Sequence, residues 1–192
     1  MTELTIASIC HLLESRGHHR LPLASVTVQE HALQTAWLAE QAGATSALVS
    51  ACLLHDLGHL LDAPTVDDAE KHLSHGPRAA AQLACLFGAD VTEPIRLHVD
   101  AKRYLCYAHP GYSLGLSTYA ARSLERQGGA FTPDEARAFM RESHAVDAVN
   151  LRLWDDQAQS APVTTPSLAH FAATLRTCVI PKGSLYTADL RN

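Results

Sequence analysis

Residues 46–61 read SALVSACLLHDLGHLL, an apolar segment that is interrupted by a histidine–aspartate pair, His55-Asp56. Its apolar residues occupy nearly every side of a helical turn, which is typical of a helix buried all round. Thr45 is of a residue type that caps such a helix at its start. Because a buried imidazole and carboxylate are costly unless they are paired or bound to a cation, this pair governs the interpretation of the whole chain.

The segments on either side of this helix also have helical periodicity, and no stretch alternates as a half-buried strand does. The sequence therefore predicts one all-α domain, a helical bundle over residues 1–192. The Gly/Pro segment 108–116 is expected to be a loop, a candidate lid or rim. Further helices are predicted at about 28–42, from Pro77 to 87, from Thr92 to 105, at 118–127 behind a Ser117 cap, from the Thr132–Glu135 capping box, at 144–157 and at 166–178.

The composition argues against several classes of protein. The formal net charge is −5 and no stripe of Lys or Arg is visible, so a nucleic-acid groove is not expected. No stretch approaches the roughly 20 apolar residues of a membrane span, and the N-terminus lacks the basic region of a signal peptide. Five cysteines without a CxxC pair indicate reduced thiols in a cytoplasmic protein. The oligomeric state is not predicted.

Histidine and aspartate also occur on other apolar helical segments, and this favours a metal site over an isolated, hydrogen-bonded His55-Asp56 pair. A lone His-Asp dipeptide is most often a hydrogen-bonded histidine followed by a capping aspartate. Four imidazoles and two carboxylates without a thiolate instead suit iron, manganese or a similar divalent metal, and they argue against structural zinc. Spacing alone leaves open whether these six side chains converge. The six candidate ligands are His31, His55, Asp56, His75, His98 and Asp155.

Three basic residues each lie about one helical turn from a candidate ligand. Lys102 follows His98 by four residues, so both lie on one helix face. Arg152 and His59 have comparable spacings from their nearest ligands. Such cations suit an anionic substrate, although a solvated helix face explains Lys102 and Arg152 equally simply. Asp156, His72 and His144 are expected to be surface or capping residues. The aromatic residues Tyr104, Tyr107, Tyr112, Tyr119 and Trp154 are candidates for a cationic substrate group, or else ordinary core residues.

Several strings of the sequence resemble one known family. They are EHALQTA at 30–36, LLHDLGH at 53–59, HVDAKRYL at 98–105, SLERQGG at 123–129 and LRLWDD at 151–156. Over residues 28–157 the chain resembles the HD superfamily of helical metalloenzymes. Within it, the chain is similar to the mixed-valent di-iron oxygenases of the PhnZ/TmpB type. The resemblance implies a single HD-domain bundle with its core at 28–157 and a C-terminal helix at about 166–178.

The resemblance also implies cofactors, substrate and residue roles. One iron would lie on His31, His55, Asp56 and Asp155, and a second on Asp56, His75 and His98. The pair would be Fe(II)/Fe(III), with O2 as co-substrate in cleaving the C–P bond of a small organophosphonate. The residues that match catalytic or phosphonate-contacting positions are His59, Lys102, Arg152 and, as a hydroxyl, Ser123.

Leu21 and Ala24 depart from the family members that act on a primary amine. Those members carry tyrosine and glutamate here, and a primary ammonium needs such a carboxylate. A trimethylammonium has no N–H donor and needs space. The substitution predicts (R)-1-hydroxy-2-(trimethylamino)ethylphosphonate as substrate, giving glycine betaine and phosphate. A primary-amine substrate giving glycine, and a phosphohydrolase with the same ligands, remain the alternatives.

Overall fold

The computed structural model describes residues 4–19, 25–61, 68–116, 118–158 and 163–181, with the backbone alone for 68–74 and Tyr119. These residues confirm the all-α prediction, because they contain no strand and only isolated bridge residues, such as the pair Phe87 and Val179. Two 3-10 turns lie at Leu57–His59 and Ser113–Gly115. The helices are α1 Ile6–Arg16, α2 Val28–Gln41, α3 Ser46–Leu54, α4 Asp68–Leu83, α5 Ala89–Ala108, α6 Thr118–Arg126, α7 Pro133–Phe139, α8 Ala145–Gln157 and α9 Leu168–Thr177.

Local capping explains the helices whose bounds the sequence predicts well. The side chain of Thr132 accepts a hydrogen bond from the backbone of Glu135, and Glu135 returns one, so the predicted capping box of α7 is confirmed. Thr45 caps α3 as predicted. The chain leaves α2 through Gly43, whose φ of +74° favours glycine. Helix α1, capped by Thr5, was not predicted.

The end of α3 differs from the sequence prediction. The α-helix ends at Leu54, and the predicted continuation to residue 61 is wrong. Residues 57–59 form a 3-10 turn that packs on α4. A Cβ on Gly58 would lie only 2.2 Å from the carbonyl oxygen of His75, so glycine permits this close approach. The pair His55-Asp56 therefore lies in a turn after α3.

Two helices begin earlier than their prolines suggest. Pro77 lies inside α4, and Pro94 is the sixth residue of α5. Backbone N–H groups of Val91 and Thr92 already bond to the carbonyl of Gly88, so the first turn of α5 precedes the proline. The predictions that these helices start at Pro77 and Thr92 are wrong because each proline lies within its helix. Ser117, the predicted cap of α6, lies outside the described residues.

Helix α3 is the centre of the fold and is buried along residues 48–54. It packs against α2, α5, α8 and α9, while α5 also packs against α4, α7 and α8. The main core surrounds α3, and a smaller cluster joins Leu97 of α5 to Phe131 and to Phe139 of α7. Among the described residues, no helix is long and apolar enough to cross a membrane.

Candidate metal centre

Five segments bring the six candidate ligands into one buried place. They are α2, the turn after α3, α4, α5 and α8. All six side chains are buried except that of Asp56, which is half-buried. The ligand atoms form two groups, and within each group they lie within 4.8 Å of one another. The first group is His31, His55 and Asp155, and the second is Asp56, His75 and His98.

In the first group the ring nitrogens converge on one carboxylate oxygen. The Nε2 atom of His31 lies 3.0 Å from Oδ1 of Asp155 and 3.3 Å from Nε2 of His55. The distance from His55 Nε2 to the same Asp155 oxygen is 3.7 Å. Two imidazoles and a carboxylate at these separations can surround a single divalent ion.

Asp56 lies between the two groups and directs one carboxylate oxygen to each. Its Oδ2 atom is 3.6 Å from Nε2 of His55 and 3.9 Å from Nε2 of His31. Its Oδ1 atom is 3.5 Å from Nε2 of His75 and 3.8 Å from Nε2 of His59. A carboxylate in this position can bridge two cations.

Backbone carbonyls fix which ring nitrogen of two histidines faces the centre. Nδ1 of His55 lies 2.8 Å from the carbonyl oxygen of Cys52, and Nδ1 of His98 lies 2.7 Å from that of Ile95. A carbonyl only accepts, so each Nδ1 carries the proton. In the neutral ring, Nε2 then directs its lone pair to the centre, as metal-bound histidines do. The arrangement fits a cation.

The electrostatics of the centre favour positive charge. Burial acts to raise the pKa of Asp56, but His55, His59 and His75 outweigh it and hold that pKa below the ordinary value. Burial acts to lower the pKa of His55, whereas Asp56 and Asp155 raise it to about 9. Burial and the neighbouring His55 lower the pKa of His98 to about 4, which keeps that ring neutral as a ligand must be. The carboxylates therefore attract a cation to Nε2 of His55, whether a proton or a metal ion.

Arg152 binds Asp155 through the carboxylate oxygen Oδ2, whereas His31 and His55 lie near Oδ1. Its Nη1 donates to Oδ2 of Asp155 at 2.8 Å, which leaves Oδ1 directed at His31. Its Nη2 donates to Asp156, and its Nε lies 3.3 Å from the hydroxyl of Tyr112. The side chain is only 7% exposed, so the solvated-face alternative does not describe Arg152.

Lys102 is also buried, with 3% of its surface exposed, so it too is not on a solvated face. Its Nζ donates to Oγ of Ser123 at 3.2 Å, which joins two of the residues singled out in the sequence. Burial, followed by the nearby charge of Arg152, lowers the pKa of Lys102 to about 8. The ring of His59 stacks on that of His75 at 4.2 Å between centroids.

Two residues have contacts in the centre that the sequence did not predict: Asp156, and Tyr112, which was a candidate for a cationic substrate group or an ordinary core residue. Asp156 was expected to be a surface or capping residue, and this is wrong: it is bound by Arg152, one helical turn before it, and by the hydroxyl of Tyr112. The i,i+4 spacing of Arg152 and Asp156 was the available signal. Tyr112 comes from the segment predicted as a lid or rim.

The other aromatic candidates lie elsewhere or outside the described side chains. Tyr104 packs against Phe139 in the smaller core, and Tyr107 is 42% exposed. Trp154 packs on the main core. Leu21, Ala24 and the side chains of His72 and Tyr119 lie outside what the structure describes.

Comparison with known proteins shows which family and which relatives the chain is similar to. The HD domain family matches residues 28–138. A protein of Gimesia maris named hydroxymethylphosphonate dioxygenase is 40% identical over 179 residues, 91% of this chain and 88% of the relative. A Leisingera caerulea protein named 1-hydroxy-2-(trimethylamino)ethylphosphonate dioxygenase (glycine-betaine-forming) is 33% identical over 171 residues, 88% of this chain and 87% of the relative. An uncharacterised mimivirus protein is 28% identical over 158 residues, 80% of this chain and 72% of the relative.

Proposed function

The chain belongs to the HD-domain family and, within it, to the branch of the phosphonate dioxygenases, and on that premise we propose that it cleaves the C–P bond of a 1-hydroxyphosphonate with O2. One observation carries the proposal. Asp56 faces both ligand groups, and the buried cation of Lys102 lies one turn further along the helix that carries the ligand His98. Such a centre combines a metal pair with a separate positive group for a dianion.

The proposed cofactor is a pair of iron ions in the Fe(II)/Fe(III) state. His31, His55 and Asp155 would hold one ion, His75 and His98 the other, and Asp56 would bridge them. The histidine and carboxylate donors suit iron, and the lone pairs directed at the centre support this assignment. When bound, the iron pair supplies the redox chemistry for which amino acid side chains are unsuited.

The balance of the reaction follows from its products. Cleavage breaks the C–P bond; the carbon becomes a carboxylate and the phosphorus becomes inorganic phosphate. Each fragment therefore gains one oxygen atom, and one molecule of O2 supplies both. The residues of the chain contribute binding, orientation and exclusion of water. A hydrolase with the same ligands would take its oxygen from water instead.

The phosphonate is proposed to bind Lys102, Ser123, Arg152 and His59. Lys102 supplies a compact positive charge, and Ser123, already in contact with it, supplies a hydroxyl donor. Three of the five N–H groups of Arg152 donate to Asp155, Asp156 and Tyr112, so at most two are left to bind the substrate.

The proposed substrate is (R)-1-hydroxy-2-(trimethylamino)ethylphosphonate, which would give glycine betaine and phosphate. The apolar residues Leu21 and Ala24 support a substrate without a primary amine, since neither accepts a hydrogen bond from an ammonium. Hydroxymethylphosphonate is the second candidate because the relative named for it has the higher identity, 40% against 33%. It would give formate and phosphate.

Substrate turnover with and without oxygen tests the proposal. Protein reconstituted anaerobically with Fe(II) is mixed with each of three 1-hydroxyphosphonates: the trimethylated, the primary-amine and the hydroxymethyl compound. We expect phosphate only after O2 is admitted, with O2 consumed in equal amount. A phosphate ester serves as the control substrate. Turnover of that ester under strict anaerobiosis would contradict the oxygenase and favour the phosphohydrolase.

A further inference from the structure

Three side chains form a closed ring of hydrogen bonds next to the metal ligands. Asp156 accepts from Nη2 of Arg152 with one carboxylate oxygen and from the hydroxyl of Tyr112 with the other. The same hydroxyl accepts from Nε of Arg152 at 3.3 Å, which closes the ring. Burial, opposed by Arg152 but aided by Asp156, raises the pKa of Tyr112, so the phenol stays protonated and donates a hydrogen bond to Asp156. Each donor in the ring thus has an acceptor.

The ring is joined to the candidate metal ligand Asp155 by Nη1 of Arg152. A guanidinium is planar, so fixing its Nε and Nη2 atoms also fixes where Nη1 points. Nη1 donates to Oδ2 of Asp155 at 2.8 Å. The other oxygen of Asp155 is then left facing His31 at 3.0 Å. Tyr112 and Asp156 are thus linked to the Asp155 carboxylate through Arg152.

Tyr112 is held in place by the turns of its own segment. Its N–H donates to the carbonyl of His109 at 2.8 Å, and its carbonyl accepts from Gly115 at 3.1 Å. The neighbouring Leu114 is 88% exposed, whereas Tyr112 is half-buried against α8. Within the described part of this segment, Tyr112 is thus the side chain bonded to the metal centre, through Arg152 and Asp156.

We propose that Tyr112 and Asp156 are positioning residues that orient Arg152 and, through it, the Asp155 carboxylate. The first consequence concerns metal binding and is independent of the substrate. Partners that orient a metal ligand change metal affinity by about tenfold to a hundredfold when they are removed. The second consequence rests on the proposed function: a misdirected Arg152 would also contact a phosphonate less well, which raises KM more than it lowers kcat.

A cobalt titration of the metal-free protein tests the first consequence. Wild type, Tyr112→Phe, Arg152→Lys and the double variant are titrated with Co(II) and followed by calorimetry and visible absorption. We expect Tyr112→Phe to lower the affinity for one of two Co(II) ions by about tenfold and to alter the absorption band of that ion. In the Arg152→Lys background the same change should have less than about a twofold effect, since the intermediary is gone. Asp156→Asn, which keeps the shape of the side chain, should lower the affinity for the same Co(II) ion.

Tyr107→Phe is the matched control, because it removes the hydroxyl of an exposed tyrosine and should leave both affinities unchanged. Equal Co(II) affinity in wild type, Tyr112→Phe and Asp156→Asn would overturn the proposal, as would effects of Tyr112→Phe that simply add to those of Arg152→Lys. Kinetics with the 1-hydroxyphosphonates separate this idea from the proposed function. If wild type oxidises none of them but the cobalt effect is present, the positioning role stands and the proposed function fails.

Discussion

The Nε2 atoms of His75 and His98 lie 2.8 Å apart, and Nδ1 of His98 is bound to the carbonyl of Ile95. Because Nδ1 of His98 carries the proton, its Nε2 atom, which faces His75, has a free lone pair. Asp56 adds a carboxylate oxygen 3.5 Å from His75 Nε2. A metal ion accepts electron pairs from all three atoms at once, which explains why three such donors converge in a buried place.

The metal content of single variants follows from the two ligand groups. Anaerobically prepared wild type should contain close to two iron equivalents per chain by elemental analysis, as two ligand groups require. His98→Ala should lose mainly one equivalent, because the first group keeps all three of its ligands. Asp56→Ala should lower both occupancies, since its carboxylate faces both groups. A fully active protein with stoichiometric zinc and no iron would contradict the iron assignment.

Oxygen labelling distinguishes the oxygenase from the phosphohydrolase. With 18O2 in ordinary water, mass spectrometry should find one labelled atom in the phosphate and one in the carboxylate product. The reason is the balance of the reaction, in which each fragment gains one oxygen. The reciprocal experiment in labelled water is the control and should label neither product during turnover. Phosphate labelled from water alone would indicate hydrolysis.

Lys102→Ala should impair the use of substrate without removing the metal. Breaking a buried charge pair costs about 2–5 kcal/mol, so kcat/KM should fall by at least about thirtyfold while iron content stays near that of wild type. Ser123→Ala, which removes a neutral donor from the same contact, should have a smaller effect. Steady-state kinetics with parallel metal analysis measure both. Wild-type kinetics for Lys102→Ala would mean that the amine does not bind the phosphonate.

The lowered pKa of Lys102 predicts a fall in activity at alkaline pH. Burial, followed by Arg152, lowers the pKa to about 8, so the amine loses its charge as the pH rises through that value. Because kcat/KM reports groups of the free enzyme, it should decrease above about pH 8. In Lys102→Arg the guanidinium stays charged, and the alkaline decrease should move to higher pH even if overall activity is lower. An unchanged pH profile in Lys102→Arg would assign the decrease to another group.

Leu21 and Ala24 should determine which amine the enzyme accepts. Leu21→Tyr with Ala24→Glu would replace two apolar side chains by larger ones and supply a carboxylate for N–H donors. We expect kcat/KM to fall for the trimethylated substrate and to rise for the primary amine, by about tenfold each if each change is worth about 1.4 kcal/mol. Competition between the two substrates measures the ratio directly. A wild type that prefers the primary amine would contradict this assignment.

Local signals determined those parts of the fold that the sequence predicted well. Helix α7 follows from its capping box, and the start of α3 follows from Thr45, because such caps bond only to residues two or three positions away. The apolar sequence around His55-Asp56 likewise indicated the buried central helix. The six candidate ligands were found by residue type on apolar segments, since a buried imidazole or carboxylate needs a partner wherever it lies.

Tertiary structure alone decided where those helices stop and which side chains meet. The end of α3 depends on Gly58 approaching His75 in α4, and no pattern within residues 46–61 encodes that contact. The bond between Arg152 and Tyr112 joins side chains 40 positions apart, and Tyr112 lies in an irregular segment without periodicity. Periodicity and capping act over one or two turns of a chain, whereas the partners of a buried charge are set by helices that pack from distant parts of the sequence. The sequence therefore determined which residues need partners, and packing determined which partners they have.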